Sequence, residues 1–331
     1  MKRILRLCAV CCALSLLAGC GPTYPKGTVP ESIKKICKKE YDVEVEVKIE
    51  GRTLAVYLPA KELFDAVFNL GQEASKKINN VILGISRVAL STDQKVDFYI
   101  LIAQDPEMPE IEIVYIRYVD DVKRFLLGDV SRDDYGRRAV IALKTPTYAE
   151  RERILRELFE KLNLKDSEEL VKEYIEEKPV STMGEIGYWD GKFYLKEIEM
   201  GEFLAKQIED KIKISFSSSK ELARWFEVKS ARGEYSALPE GGMFNFKVDL
   251  TPRVAGLYME SGIELGAQER KREVFRELMR VTGKTLRAYR FDDFKGIYFS
   301  TTYGDLSVDR EDAEAFRKKE IGIDDIIMKG E

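Results

Sequence analysis

The chain has 331 residues, 44% of them apolar, with 54 Lys plus Arg against 58 Asp plus Glu and a formal net charge of -4. Nearly balanced charge argues against a dedicated nucleic-acid binder, which concentrates cations on one face. The complete absence of His removes Ser-His-Asp and Cys-His catalysis, HExxH zinc sites and His-ligated haem.

Residues 1–20, MKRILRLCAVCCALSLLAGC, open with Lys2, Arg3 and Arg6, continue with an apolar stretch from Leu7 to Leu17, and place small residues before a Cys. That order is the pattern of a secretion signal, and the apolar run is shorter than the roughly 20 residues a finished transmembrane helix needs. Leu17-Ala18-Gly19-Cys20 resembles the lipobox of bacterial lipoproteins. The resemblance covers the leader and anchor alone, and no family is identified for the body. It implies a signal peptide over 1–19, cleavage before Cys20, and acylation of that residue by two or three chains of the palmitate kind. Each buried CH₂ contributes about 0.8 kcal/mol, so two chains hold where one is marginal. The membrane is thus an expected partner through acylated Cys20. Gly21 is not the Asp associated in such proteins with inner-membrane retention, so the expected place is the outer membrane, facing the periplasm. Cleavage would take away Lys2, Arg3, Arg6, Cys8, Cys11 and Cys12, leaving 51 cations against 58 anions and Cys37 as the one free thiol.

Residues 20–30 hold three Pro and two Gly after Cys20, which predicts a lipidated tether, with folding from Glu31. Cys37 shares a predicted helical face with Ile33 and Ile36, as a small buried hydrophobe would. Val43, Val45, Val47 and Ile49, then Leu54, Val56 and Leu58 beyond Gly51, alternate with polar residues as a β-hairpin does. Ile78, Val81, Ile82, Ile85 and Val88 mark one face of a helix over Glu73–Leu90. Two strands, Val96–Ala103 and Ile111–Val119, are apolar on both faces and predict a central hairpin. A helix near Asp121–Leu127 and a strand near Arg138–Lys144 complete a first domain over 31–145.

A second domain, 146–331, is expected to open with helices at Thr147–Leu162, its inward face carrying Ile154, Leu155, Leu158, Phe159 and Leu162, and at Ser167–Glu177. Asp190-Gly191 between Ile186–Trp189 and Lys192–Ile198 is a strong hairpin signal. Helices follow at Glu202–Lys213, Lys220–Val228 and Gly266–Val281, the last stopped by Gly283. Strands follow at Met243–Leu250, Thr285–Phe291 and Gly296–Thr301, and a charged helix closes the chain. Tight turns make antiparallel pairs, whereas parallel pairs need long crossovers. The expected fold is α+β, antiparallel hairpins packed against helices in repeated helix-hairpin units.

Without His, the remaining catalytic options are a Ser-Lys pair, paired carboxylates or an activated Lys. Ser32-Ile33-Lys34-Lys35 and Ser217-Ser218-Ser219-Lys220 fit SxxK, but at the frequency chance supplies. Thr282-Gly283-Lys284-Thr285 resembles the tail of a phosphate-binding loop, yet Leu278 stands where that loop requires Gly, and a helix stop before a strand accounts for it. Asp120, Asp121, Asp133 and Asp134 cluster near one predicted sheet end and form the candidate acidic site, although each doublet sits where a cap or turn is expected. Tyr115, Tyr118, Trp189 and Tyr194 could line a glycan-binding face or pack across strands. The helix over Glu202–Phe216, with Phe203, Leu204, Ile208 and Ile212 on one face, suits the core better than a membrane surface. No cofactor or metal is expected, and no nucleic acid. The first reading is a non-enzymatic, lipid-anchored envelope protein, a binding, assembly or accessory factor with an envelope protein as its partner. The alternatives are a ligand- or glycan-binding lipoprotein and a carboxylate or Ser-Lys hydrolase.

Overall fold

The structure, a computed structural model, describes residues 23–65, 69–162, 168–171, 180–252 and 263–330. The fold is α+β. It divides into two compact units between Glu197 and Ile198, about fifty residues beyond the 145/146 boundary expected from sequence. Residues 180–197 go with the first unit because they pack on its sheet: Tyr188 stacks on Tyr57 with ring centroids 3.7 Å apart and donates its N–H to Glu112 Oε2 at 3.3 Å.

In the first unit, a single 3₁₀ turn at Lys26–Thr28 leads into α1, Val29–Tyr41, with Pro30 in its first turn, where the missing N–H goes unused anyway. Ordered structure therefore starts before Glu31: Val29 is fully buried, and Tyr24 donates its N–H to Ser91 O. β1, Glu46–Glu50, and β2, Thr53–Pro59, form the expected hairpin. After α2, Gln72–Leu90, come β3, Phe98–Asp105, and β4, Met108–Tyr118, a second antiparallel hairpin. The strand order is β1-β2-β3-β4-β5, with β5 at Val140–Lys144. β2 and β3 run parallel, Thr53 opposite Phe98 and Pro59 opposite Gln104. The hairpins are antiparallel as expected, but the sheet is mixed, because α2 is a crossover long enough to join parallel strands.

One sheet face, with Leu54, Val56, Leu58, Tyr99, Leu101 and Ala103, buries against Ile33 and Cys37 of α1 and Val81 and Ile85 of α2. Short helices α3, Val119–Leu126, and α4, Arg132–Gly136, link β4 to β5, and α5, Thr147–Lys161, follows. Its packed face holds Tyr148, Leu155 and Phe159, while Ile154, Leu158 and Leu162 are exposed, a rotation of the face read from sequence. Most of the helix expected at Ser167–Glu177 lies outside the described residues. β6, Gly187–Trp189, and β7, Lys192–Tyr194, pair around Asp190 and Gly191, both at positive φ (50° and 72°) as a type I′ turn requires.

The second unit begins with α6, Met200–Ser218, whose Phe203, Leu204, Ile208 and Ile212 are fully buried, so it is a core helix. A single turn, α7 at Leu222–Trp225, replaces the helix expected to Val228, and the chain passes into an unanticipated strand, β8, Phe226–Ser236. β9 is Gly242–Pro252, α8 Ile263–Tyr289, β10 Phe294–Thr301 and β11 Gly304–Asp309, followed by α9, Arg310–Lys318, and α10, Ile323–Gly330. The strand order is β11-β10-β9-β8, with β9 parallel to β10 and the flanking pairs antiparallel. Setting β5 and the β6–β7 hairpin aside, both units follow one path: helix, hairpin, helix, hairpin, helix, with parallel inner strands between antiparallel neighbours.

α8 overturns two expectations. It runs through Gly283 to Tyr289, so Gly283 does not stop it and Thr285–Phe291 is no strand. An interior Gly costs about 1 kcal/mol relative to Ala, but Leu278, Met279, Thr282, Thr285 and Leu286 are all buried at helical spacing on either side of it. At about 1.5–3 kcal/mol per large apolar side chain buried, that continuity outweighs the glycine.

Candidate ligand pocket

Cys20 lies outside the described residues. The four aspartates sit in the first turns of two short helices, Asp120 and Asp121 in α3, Asp133 and Asp134 in α4. Asp121 is fully buried and accepts from Arg138 Nη1 at 2.7 Å. Asp133 and Asp134 are exposed, and the Asp134 N–H donates to the capping Ser131 Oγ at 3.1 Å. Among the described residues no group of three or more His, Cys, Asp or Glu could hold a metal ion. Thr282-Gly283-Lys284-Thr285 is mid-helix, where no phosphate-binding loop can form, and Ser217, the first residue of the second SxxK match, donates its hydroxyl to Ile214 O at 3.0 Å near the end of α6. The aromatic set splits in two: Tyr115 stacks on Tyr99 and Tyr118 packs at a tilt on Phe98, whereas Trp189 and Tyr194 both pack on the cluster around Tyr148.

Cys37 is fully buried, and burial, with the nearby Glu40 carboxylate adding to it, pushes its thiol up to about 11. Sequence reasoning missed a second buried group, the Glu112–Lys144 pair across β4 and β5 (3.5 Å), with Glu112 fully buried. Burial raises the Glu112 carboxyl against the opposing pull of Lys144, and burial lowers the Lys144 ammonium against the pull of Glu112. Lys144 also donates to the carbonyls of Gly184 and Ile186, and a Cβ on Gly187 would come within 2.6 Å of Glu112 Oε1. This pair is a clamp that holds residues 184–188 against the sheet.

An open concavity lies in the second unit. Between the last turns of α8, the start of β10 and α9 is a cavity of about 300 Å³. From α8 it is lined by Met279, Gly283, Leu286 and Arg287, and Arg290, Phe291 and Asp292 continue the wall beyond the helix end. β10 supplies Phe294 and Ile297, and α9 supplies Arg310, Ala313, Glu314 and Arg317. Both helical contributions follow the three- and four-residue spacing of a single face. Met279, Leu286, Phe294 and Ile297 are buried and form an apolar floor, whereas Arg287, Arg290, Asp292 and Arg317 are exposed at the rim.

Two local features shape this wall. A Cβ on Gly283 would meet no atom within 4 Å, so neither packing nor a positive φ explains the glycine, and its missing side chain leaves the cavity open. α8 ends in a Schellman arrangement, the Phe291 N–H donating to Leu286 O at 3.0 Å and the Arg290 N–H to Arg287 O at 3.1 Å. The left-handed position is held by Arg290 at φ 52°, where Gly is usual and another L-residue costs about 1–2 kcal/mol.

Four arginines face two carboxylates in this lining, an excess of positive charge in a chain that is net negative. Arg310 reaches Glu314 at 3.2 Å and Asp292 at 3.7 Å. Among the described residues Arg287, Arg290 and Arg317 have no carboxylate partner, so three guanidinium groups remain for an anion. Sequence reasoning missed all four: it ended α8 before Gly283 and put Arg287 and Arg290 on a strand, and it read Arg310 and Arg317 only as charges of the closing helix. The signal was present in the helical spacing of Leu278, Thr282, Thr285, Leu286 and Tyr289. No family model matches the chain, and neither a curated protein nor a solved structure matches it.

Proposed function

We propose that this chain is a lipid-anchored protein of the bacterial envelope that acts by binding rather than by catalysis. The observation that carries the anchor is the ordered leader, a basic start, an apolar run and Leu17-Ala18-Gly19-Cys20. Acylated Cys20 would hold the two units at a membrane surface, on this reading the periplasmic face of the outer membrane. No helix among the described residues is long and apolar enough to cross a membrane. Between the two binding roles, an accessory factor for an envelope protein and a receptor for a small ligand, the arginine-rimmed cavity favours the second. A concave, mostly apolar site with a few polar groups that converge is the usual form of a small-molecule site.

Replacing Cys20 by Ser tests the anchor. The unsubstituted chain is expected in the membrane fraction, labelled metabolically by a palmitate analogue, and the Cys20→Ser chain in the soluble fraction without label. Unchanged fractionation and labelling of the variant would end the lipoprotein reading.

A further inference from the structure

We propose that the cavity between α8, β10 and α9 binds a small amphipathic anion, its oxyanion headgroup at the arginine rim and its apolar body on the floor. The proposal rests on the binding reading above but not on the anchor, since every residue it uses lies in the second unit. The cavity of about 300 Å³ has the volume of about ten water-sized groups at ~30 Å³ each, room for an alkyl or aryl body of about that many atoms. Met279, Leu286, Phe294 and Ile297 offer such a body only apolar contacts. Guanidinium groups are planar forks that pair with carboxylate and phosphate through two parallel hydrogen bonds.

A competing account is that the arginines merely offset helix dipoles, since cations near helix C-termini are favourable. It explains Arg287 and Arg317, which occupy the last turns of α8 and α9. Arg290, one residue past α8, holds a left-handed cap of the kind that Asp42 and Lys319 hold after α1 and α9. Gly283, like Gly266 of the same helix, meets no atom within 4 Å, and it lines the cavity wall between Met279 and Leu286. What the dipole account leaves over is the convergence: Arg287, Arg290 and Arg317 come from the last turn of α8, its cap and α9 and line one cavity over an apolar floor, with no carboxylate partner among the described residues.

Isothermal titration of the full chain in lipid nanodiscs, with empty discs as the blank, would decide. The probes are octanoate, octyl phosphate, octanamide and acetate. Octanoate or octyl phosphate is expected to bind at least tenfold more tightly than octanamide, which lacks the charge, and than acetate, which lacks the body. Whichever of the two anions binds better identifies the headgroup. Arg290→Gly should weaken the better anion about tenfold while raising the melting temperature, a pairing that a purely structural arginine would not show. Gly283→Leu should abolish binding by filling the cavity without lowering the melting temperature. Equal affinity for octanoate and octanamide, no binding of either anion, or unchanged affinity in both Arg290→Gly and Gly283→Leu would overturn the proposal. None of these outcomes depends on whether Cys20→Ser releases the chain.

Discussion

Glu209 shows how one side chain ties stability to pH in a protein without histidine. Its carboxylate on α6 is buried, accepts from Lys206 at 2.7 and 2.8 Å and from Lys213 at 2.7 Å, and takes the Gly233 N–H at 3.0 Å. Burial on its own would raise its pKa, but the hydrogen bonds from Lys206 and Lys213, the charge of Lys206 and the Gly233 N–H hold it below the ordinary 4.5. A carboxylate whose folded pKa is depressed contributes stability above its unfolded pKa and loses it as the pH falls through the folded value. The urea midpoint of the native chain is therefore expected to drop as the pH falls below 4.5, and Glu209→Gln should lower the neutral-pH midpoint and flatten that acid limb. An equally steep limb in the variant would remove Glu209 from the account. Cys37 and Lys144 were both visible as residue types, yet only Cys37 was legible as buried. Its neighbours Ile33 and Ile36 share its helical face, whereas Lys144 closes a strand and meets Glu112 through sheet register alone.

At the scale of elements, legibility followed local periodicity. The β1–β2 and β6–β7 hairpins were readable because alternation and Asp190-Gly191 act within a few residues. β8 was not, because a strand at a sheet edge keeps polar residues such as Glu227, Arg232 and Glu234, and these blur the pattern. α8 was cut short because Gly283 looks like a stop until the buried residues beyond it are counted. That difference is measurable by hydrogen exchange. If α8 is continuous, the amides of Lys284, Thr285 and Leu286 should exchange slowly, on the timescale of Leu278 and Met279. Rapid exchange from Lys284 onward would restore the break that Gly283 suggests and remove the wall that carries Arg287 and Arg290.

At the scale of the molecule, each unit has its own sheet and buried apolar set, which is the usual condition for folding alone. Residues 198–331 expressed by themselves should unfold in one cooperative transition and retain the anion affinity of the full chain, and a molten, non-cooperative product would show that the second unit depends on the first. The β1–β2, β3–β4 and β6–β7 hairpins, the α+β class and the burial of Cys37 could be read from residue order, because each reflects spacing along a short stretch, and the leader proposed over 1–19 is likewise a reading of consecutive residues. The parallel pairing of β2 with β3 and of β9 with β10, the clamp between Glu112 and Lys144, and the cavity depend on what distant segments bring together. Arg287, Arg290, Arg310 and Arg317 carry no mutual spacing that marks them as one rim, and they become neighbours only when α9 packs beside the end of α8. Periodicity reports which side of an element is buried, but which elements face each other is set by packing across the chain.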